Sequence, residues 1–368
     1  MKIVRFQTIL LLISLIVYSG PALSQSGKTH KLVATPQTVP TGFFDSTTPP
    51  VLTIESGDTV VLNTLMLMDN QLRCGMTFEE LVPLRQSYVD RKVGPHTLTG
   101  PIFVNGAEPV DVLEIRIKKL VPINCGVNYH LPGRMNIGGL PEDFPDAQFK
   151  TLKLDLKKME TTVAPGVIIP LKPFLGVMGI APKPGEKRPA GIPEYFGGNI
   201  DNKELVAGTT LYLPVNSKGA LFSTGDAHAA QGDGEVNVTA IETAMEEAVL
   251  QFVVRKDMKI ERPMAETATH WITMGFHKDL NEAVKIALRD AIQFMVKTKG
   301  LDVDDAYALA SLAVDLRVTQ IVDGNKGIHG MIPKNIFKKE KLVLSRIFFS
   351  AFTAPEPESR YFPGAGKR

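Results

Sequence analysis

Apolar and polar residues alternate along much of the chain before residue 278, which is the pattern of β-strands that turn one face toward a core. In the range 111–120, Leu113, Ile115 and Ile117 share one face and mostly charged residues share the other. The same criteria predict strands at 51–54, 59–67, 151–156, 209–215, 235–242, 248–255 and 270–275. We expect the first two of these to form a hairpin around Gly57 and Asp58.

The pattern changes beyond residue 278. Apolar residues recur at helical spacing from Leu280 to Val296, and again within 302–316. Asp279 is a suitable N-cap for the first helix, and Gly300 is a suitable stop. The sequence therefore predicts a helical hairpin that packs on the sheet, followed by a strand at 318–322.

Three stretches interrupt this pattern. Residues 122–147 are predicted to form a loop, and residues 69–92 an excursion over the site with a helix near 76–84. Residues 170–198 are too long for a plain connection, and their recurring apolar residues favour an ordered loop that walls a pocket.

The first 24 residues have the layout of a secretory signal peptide. Lys2 and Arg5 precede an apolar run, and small residues stand before Gln25. An uncleaved membrane anchor is the alternative. We expect an exported protein, periplasmic or secreted, with no membrane segment after cleavage. The remainder divides into an extended lead-in (25–49), a main region (50–353, β-rich to about 278 and α/β from 279) and a tail (354–368).

Composition narrows the classes of function. A net charge of +2 with scattered Lys and Arg gives no ground for nucleic-acid binding. The chain has no Gly-x-Ser-x-Gly elbow, no phosphate-binding loop and no dinucleotide fingerprint. Cys74 and Cys125 are the two cysteines, and the sequence leaves their pairing open because a chain this long does not need the bond to fold.

The stretch 225–235 has the densest set of candidate site residues, framed by three glycines. Asp226 and His228 are types of metal ligand, and their spacing on a strand puts both on one face. Asp201 in a second glycine-framed cluster and His96 in a loop between turn formers would complete a metal set. The alternative is a polar turn whose carboxylates cap backbone amides.

Hydrolysis also needs a general base within reach of the attacking water. Glu235 and Asp233 are the candidates, and the alternatives are a strand-end salt bridge for Glu235 and a solvated turn for Asp233. Glu242 would lie on the opposite face of a continuous strand from Glu235, so only a bulge would let it join the site. The isolated histidines, including His329, are expected to be structural.

The motifs resemble those of the acetamidase/formamidase family. The resemblance extends over roughly 50–335 and rests on GPH at 94–96, TGPI at 99–102, VNGAEP at 104–109, GGNID at 197–201, TLYLPV at 210–215, GALF at 219–222, GDAHAAQGDGE at 225–235, DAY at 305–307 and DLRVTQIVD at 315–323. Residues 66–92 depart from the family's pattern, which leaves the identity of the substrate open.

The resemblance implies hydrolysis of a short-chain amide to a carboxylate and ammonia. It also implies a mainly β (α+β) fold, a jelly-roll-like or barrel-like β-sandwich, together with a site associated with metal ions and a homo-oligomer. Carried over to this chain, the site falls on residues 226, 228, 231, 233 and 235, together with 96, 199 and 201. The roles follow from side-chain chemistry: Asp226, His228, Asp201 and His96 would hold a divalent metal. Glu235 or Asp233 would act as base, and Gln231 or Asn199 would orient the amide.

Zinc is favoured by the mixed carboxylate and imidazole ligands, and calcium is the other option. A competing hypothesis makes the protein a secreted, calcium-stabilised carbohydrate-binding or adhesive module. In that case Asp226, Asp233 and Glu235 would bind calcium structurally and His228 would only pack.

Overall fold

A computed structural model of the chain describes residues 27–338. The described residues up to Lys334 belong to one compact unit, and a second unit begins at Asn335. The predicted signal segment (1–24) and tail (354–368) lie outside the described residues. Among those described, no helix is long and apolar enough to cross a membrane.

Strands dominate the described part of the chain, as the alternating pattern predicted. In chain order they are β1 Thr29–Leu32, β2 Phe43–Asp45, β3 Leu52–Ile54, β4 Thr59–Leu62, β5 Leu98–Val104, β6 Val112–Pro122, β7 Cys125–His130, β8 Gln148–Lys153, β9 Glu160–Ala164, β10 Val167–Pro170, β11 Phe174–Gly179, β12 Lys187–Pro189, β13 Gly197–Asn199, β14 Thr210–Pro214, β15 Phe222–His228, β16 Glu242–Thr243, β17 Met245–Arg255, β18 Met264–Glu266, β19 His270–His277, β20 Asp315–Gln320 and β21 Lys326–Pro333. The helices are α1 Leu67–Asn70, α2 Phe78–Asp90, α3 Leu280–Lys299 and α4 Val303–Ala313, with short 3-10 turns at Gly133–Met135 and Lys334–Ile336.

Two large sheets form the body of the fold. The first has nine strands in the order β1-β4-β17-β6-β14-β18-β19-β21-β20, antiparallel except for the β1–β4 pair. The second has eight, in the order β13-β11-β15-β16-β7-β8, with β5 beside β15 and β3 beside β5. Two short antiparallel pairs, β9–β10 and β2–β12, complete the strand pairing.

A single apolar core joins the two sheets. It contains Leu113 and Ile115 of β6 from the first sheet and Leu175 and Val177 of β11 from the second. The rings of Phe222 (β15) and Phe252 (β17) meet edge to face across it, with centroids 5.1 Å apart. The architecture is therefore a β-sandwich, as predicted.

The predicted hairpin at residues 51–67 is wrong, although both strands exist. β3 pairs with β5 in the second sheet, whereas β4 pairs with β1 and β17 in the first. Between them the Asp58 carboxylate accepts hydrogen bonds from the backbone N–H groups of Lys28 and Glu55. The turn between the two strands therefore carries the chain from one sheet to the other.

The helical hairpin is confirmed. The Asp279 side chain accepts hydrogen bonds from two N–H groups of the first turn of α3, and Gly300 ends that helix in a left-handed conformation. Helix α3 packs on β19 and β21, and its alanines make this approach close. At Gly275 a Cβ atom would lie 2.2 Å from the Ala283 carbonyl oxygen.

The two stretches predicted as loops, 122–147 and 170–198, contain strands. β7 lies within 122–147, and β11 and β12 lie within 170–198. The excursion at 69–92 does contain a helix, α2, which begins with a capping box between Thr77 and Glu80. Cys74 of this excursion forms a disulfide with Cys125 of β7, which answers the question that the sequence left open.

Candidate active site

Strand β15 carries the centre of the site. It pairs with β11 along one edge and with β5 and β16 along the other. Asp226 and His228 lie at its end, and Glu242 of β16 is the direct cross-strand neighbour of His228. All three side chains are buried. Gly176 of β11 leaves room for them, because a Cβ there would lie 2.8 Å from His228 Cε1 and 2.6 Å from Asp201 Oδ1.

Donor atoms converge on Nε2 of His228. Asp226 Oδ2 and Glu242 Oε2 each lie 3.4 Å from Nε2, and His96 Nε2 lies 3.8 Å from the same Asp226 oxygen. His228 Nε2 has no hydrogen-bond partner. Ligands bound to a tetrahedral zinc ion at about 2.0–2.1 Å are about 3.3–3.4 Å apart. The Asp226–His228–Glu242 group therefore fits a divalent cation.

The other ring nitrogen of His228 faces Gln231. His228 Nδ1 lies 3.0 Å from Gln231 Oε1, and Gln231 Nε2 donates a 2.9 Å hydrogen bond to the Asp201 carbonyl oxygen. Because the amide NH₂ group is committed to a carbonyl, its oxygen faces the ring and Nδ1 must donate the hydrogen. In neutral His228 the lone pair is then on Nε2, where a metal ligand needs it.

A second acidic group lies on the Nδ1 side. Donor atoms of Asp201, Glu235 and His228 all lie within 4.8 Å of one another. Neither Asp201 oxygen has a hydrogen-bond partner, and one oxygen each of Glu235 and Asp323 also lacks one. Buried polar atoms without a partner are costly, so this density of them indicates groups arranged for a ligand.

The carboxyl groups of the site have divergent pKa values. Burial alone would raise the pKa of Asp226, but His228 and His96 lower it to about 2. Burial and the neighbouring carboxyl groups raise the pKa of Glu235 and of Asp201 well above the usual range, and burial and Asp226 raise that of Asp323 to about 7. Carboxyl groups whose pKa values differ in this way can supply both a charged ligand and a proton carrier.

The pKa values of the two histidines, His96 and His228, shift in opposite directions. Burial lowers the pKa of His96. Burial also disfavours the charged form of His228, but Glu242 and Asp226 overcome this and raise its pKa well above the usual value. A metal ion that binds at Nε2 of His228 would displace a proton.

Four acidic residues of the site share an uncommon backbone conformation. The φ angles of Asp201, Asp226, Glu235 and Asp323 are 48°, 51°, 44° and 64°, all in the left-handed region. Such conformations cost of order 1–3 kcal/mol for residues other than glycine, and they concentrate at functional sites. The strain turns side chains from different segments toward one point.

The site opens into a cavity of about 670 Å³. Asp226, Glu235 and Glu242 line it on the acidic side. Its remaining polar lining includes His96, Asn199, Tyr129, Asp323, Arg85 and Lys326. Buried carboxylates and imidazoles are therefore within reach of a small molecule in this cavity.

The structure brings together most of the predicted site residues. His96, Asn199, Asp226 and Glu235 line the cavity, and Asp201 lies just behind it.

Asp233 and Gln231 are not among the residues that line this cavity. Asp233 forms ion pairs with Arg317 at 2.6 Å and Lys203 at 3.1 Å, so its carboxylate is directed away from the cluster. Gln231 supports His228 from behind. The predicted roles of Asp233 as base and of Gln231 in orienting the substrate have no support in this geometry.

Two acidic residues were undervalued or missed. The predicted strand at 235–242 is wrong: residues 236–241 form no strand, and β16 begins at Glu242. Glu235 and Glu242 therefore both join the site without a bulge. Asp323 follows β20 in a turn before Gly324, and the only signal for it was its place at the end of the 315–323 motif.

The fold and the site together define a β-sandwich protein with a buried carboxylate–imidazole centre open to a cavity. The family model described as "Acetamidase/Formamidase family" matches residues 33–186 and 191–339. The chain belongs to the acetamidase/formamidase family.

Individual relatives agree with this assignment. An acetamidase of Mycolicibacterium smegmatis is 29% identical over 199 residues, which is 39% of this chain and 49% of the relative. The match thus spans about half of that relative's length. A formamidase of Methylophilus methylotrophus is 26% identical over 318 residues, 66% of this chain and 77% of the relative.

Solved structures are similar over more of the chain. The acetamidase of Bacillus halodurans has a TM-score of 0.74 and 31% identity, covering 83% of this chain and 98% of that one. The acetamidase of Yersinia enterocolitica has a TM-score of 0.76 and 28% identity, covering 89% and 98%.

Proposed function

We propose that this protein is a metal-dependent amidohydrolase that converts an amide and water into a carboxylate and ammonia. The observation that carries the proposal is the pair of 3.4 Å separations from His228 Nε2 to Asp226 and Glu242, with no hydrogen bond at Nε2. The family membership supports amide hydrolysis as the reaction.

We assign the metal to His228, Asp226 and Glu242, with His96 as the adjacent fourth donor. Zinc is the ion that we favour, because calcium takes oxygen ligands and the centre of this group is an imidazole nitrogen. This differs from the set expected from the sequence, since Glu242 takes the place of Asp201.

His228, Asp226 and Glu242 would hold the ion, and its chemistry when bound would be to lower the pKa of water and to polarise a carbonyl group. Glu235 is our candidate for the general base. It lines the cavity, its Oε2 has no partner, and burial and the neighbouring carboxyl groups raise its pKa well above the usual value, which favours the proton-bound form that a proton carrier needs. It would take a proton from water and return it to the departing ammonia.

Asn199 is our candidate for positioning the substrate. Its side chain is buried, lines the cavity and has an amide oxygen without a partner. That oxygen can accept a hydrogen bond from the N–H of a bound amide. We prefer the enzyme to the calcium-stabilised module because ligand carboxylates line a cavity that a substrate can enter.

The test uses the purified protein with its own metal. Metal content is measured by elemental analysis, and ammonia release is followed with formamide and acetamide before and after a chelator. We expect loss of activity with the chelator and recovery with zinc. Absence of ammonia from a broad amide panel, with folded and metal-loaded protein, would refute the proposal.

Variants test the individual roles. Glu235→Gln is expected to lower kcat by about 10²–10⁴-fold with the metal retained. Glu242→Gln is expected to lower metal content. Glu247→Gln, an exposed partner of Lys119 on β17, is the matched control and should behave as wild type. Asp233→Asn examines the other predicted base, and a loss as large as that of Glu235→Gln would contradict our assignment.

We also propose that the protein is exported. The Cys74–Cys125 disulfide supports this, because disulfides persist in oxidising compartments. Sequencing the N-terminus of the protein from the periplasmic or extracellular fraction tests it. A mature N-terminus at Gln25 is expected, and a protein found only in the cytosol with Met1 retained would contradict it.

A further inference from the structure

The cavity is larger than a formamide or acetamide substrate needs. Its volume of about 670 Å³ falls within the ~300–1,000 Å³ range of pockets that enclose drug-sized ligands. A minimal amide at the acidic centre would leave most of it empty. The remainder of the wall should therefore show what else the substrate carries.

Arg85 lines this cavity and has no role in the proposed amide hydrolysis. It lies on α2, in the excursion that departs from the family's pattern, and it is half-buried in the cavity lining. Among the ion pairs and side-chain hydrogen bonds of the described residues, none involves Arg85.

The segment that presents Arg85 is held in place at several points. The disulfide joins Cys74 to β7, and the Tyr88 hydroxyl donates a 2.6 Å hydrogen bond to Asp69. Asp69 in turn accepts from Thr41 and is bound through its own N–H to Thr97. A guanidinium group on a segment fixed in this way is pre-organised, which favours binding of a carboxylate or phosphate.

We propose that the substrate is an amide that also carries an anionic group, a carboxylate in the simplest case, and that Arg85 binds this group. The inference rests on the proposed amide hydrolysis and specifies its substrate class. Lys326 also lines this cavity and adds a second positive charge to its wall. Arg85 is a specificity residue in this scheme and takes no part in the proton transfers.

A competing role for Arg85 is to offset the negative charge of the acidic centre. The two roles differ in what they predict for neutral substrates. If Arg85 only balances the site, its removal affects charged and neutral amides alike. If it binds the anionic group, its removal affects only the charged amide, and chiefly through KM.

The experiment compares succinamate with succinamide. The two are alike except that succinamate carries a carboxylate where succinamide carries a second amide. The metal-loaded enzyme is expected to show a kcat/KM about tenfold or more higher for succinamate, as a charge-assisted hydrogen-bonded pair provides. Arg85→Gln should abolish this preference and leave acetamide turnover nearly unchanged. Arg73→Gln, an exposed arginine of the same excursion paired with Glu80, is the control and should keep the preference.

The outcomes separate this inference from the proposed function. Equal kcat/KM values for the two amides in the wild type, or an unchanged preference in Arg85→Gln, overturn the inference while amide hydrolysis stands. If no amide is hydrolysed, the proposed function fails. Calorimetric binding of succinate then decides whether Arg85 forms an anion site. Binding that Arg85→Gln weakens about tenfold supports an anion site at Arg85, and absence of binding to the wild type refutes it.

Discussion

The substitution Gln231→Met tests the hydrogen bond that supports His228 and leaves every proposed metal ligand in place. Gln231 does not line the cavity, yet its Oε1 lies 3.0 Å from His228 Nδ1 and its Nε2 donates a 2.9 Å hydrogen bond to the Asp201 carbonyl oxygen. Methionine has similar length but offers no comparable acceptor. The imidazole of His228 then loses the partner that keeps the hydrogen on Nδ1.

The expected effect is a loss of metal affinity without loss of any ligand. Hydrogen-bond partners behind a metal-binding histidine typically contribute 10–100-fold in affinity, or about 1.4–2.7 kcal/mol. The upper part of this range applies here, because His228 is buried and bulk water does not reach Nδ1 to replace the lost acceptor.

Zinc affinity is measured by competition with a chromogenic chelator at fixed pH, for wild type and Gln231→Met. Gln86→Met, which removes an exposed hydrogen bond to Asp90 on α2, is the control and should leave affinity unchanged. An affinity of Gln231→Met equal to that of the wild type, with unchanged thermal stability, would show that the tautomer of His228 is fixed by something else.

Three further predictions concern stability. Burial lowers the pKa of His329 from 6.5 to about 4, so the folded state binds fewer protons than the unfolded state between these values. The contribution of His329 to the free energy of unfolding should therefore fall by about 3 kcal/mol as the pH drops from about 6.5 to 4, against an opposite contribution from the buried carboxyl groups with raised pKa values. Urea titrations at several pH values should show a smaller fall for His329→Gln, and an equal fall would contradict this origin. Gly275→Ala should destabilise by about 1–3 kcal/mol, because its Cβ would lie 2.2 Å from a carbonyl oxygen of α3, whereas Gly232→Ala, with nothing within 4 Å, should stay close to wild type in the same titration. Replacing Cys74 and Cys125 by serine should cost about 2–4 kcal/mol, since the bond closes a 51-residue loop, and a thermal midpoint unchanged from oxidised wild type would refute the estimate.

The elements that the sequence predicted best are those with one buried face. β6 and α3 each place apolar residues on one side at the period of their own backbone, so burial can be inferred from spacing alone. The helix ends at Asp279 and Gly300 were also predictable, because a cap requires a particular side chain or a left-handed backbone.

The central strands of the second sheet were harder to predict. All six residues of β11 are buried, so the strand shows no alternation, and its glycines at 176 and 179 resemble loop residues. Those glycines serve close approach instead: a Cβ at Gly179 would lie 2.7 Å from the Phe44 ring. Strand pairing is also decided by tertiary contacts, which the local sequence does not show. For that reason β3 and β4, which are close in sequence, were predicted to pair although they belong to different sheets.

The membership of the site depends on backbone conformations that spacing rules do not represent. In a regular strand successive side chains point to opposite faces, so counting places Glu235 and Glu242 on opposite faces. That assumption fails here, since Gly234, Glu235 and Val238 have φ angles of 99°, 44° and 76°. The glycine frame in the sequence marked where the chain leaves regular geometry, and so it located the site, but it carried no information on where each side chain points.

The same consideration explains why Asp226 and His228 lie together, whereas Asp233 lies apart from them. The first two lie on β15, whose pairing with three other strands fixes their direction despite the left-handed backbone of Asp226. Asp233 lies beyond the end of that strand, where its direction is decided by the charge of Arg317, 84 residues away. Ligand type and local spacing identify candidates for such a centre, and the long-range partners of each candidate decide which of them face the cavity.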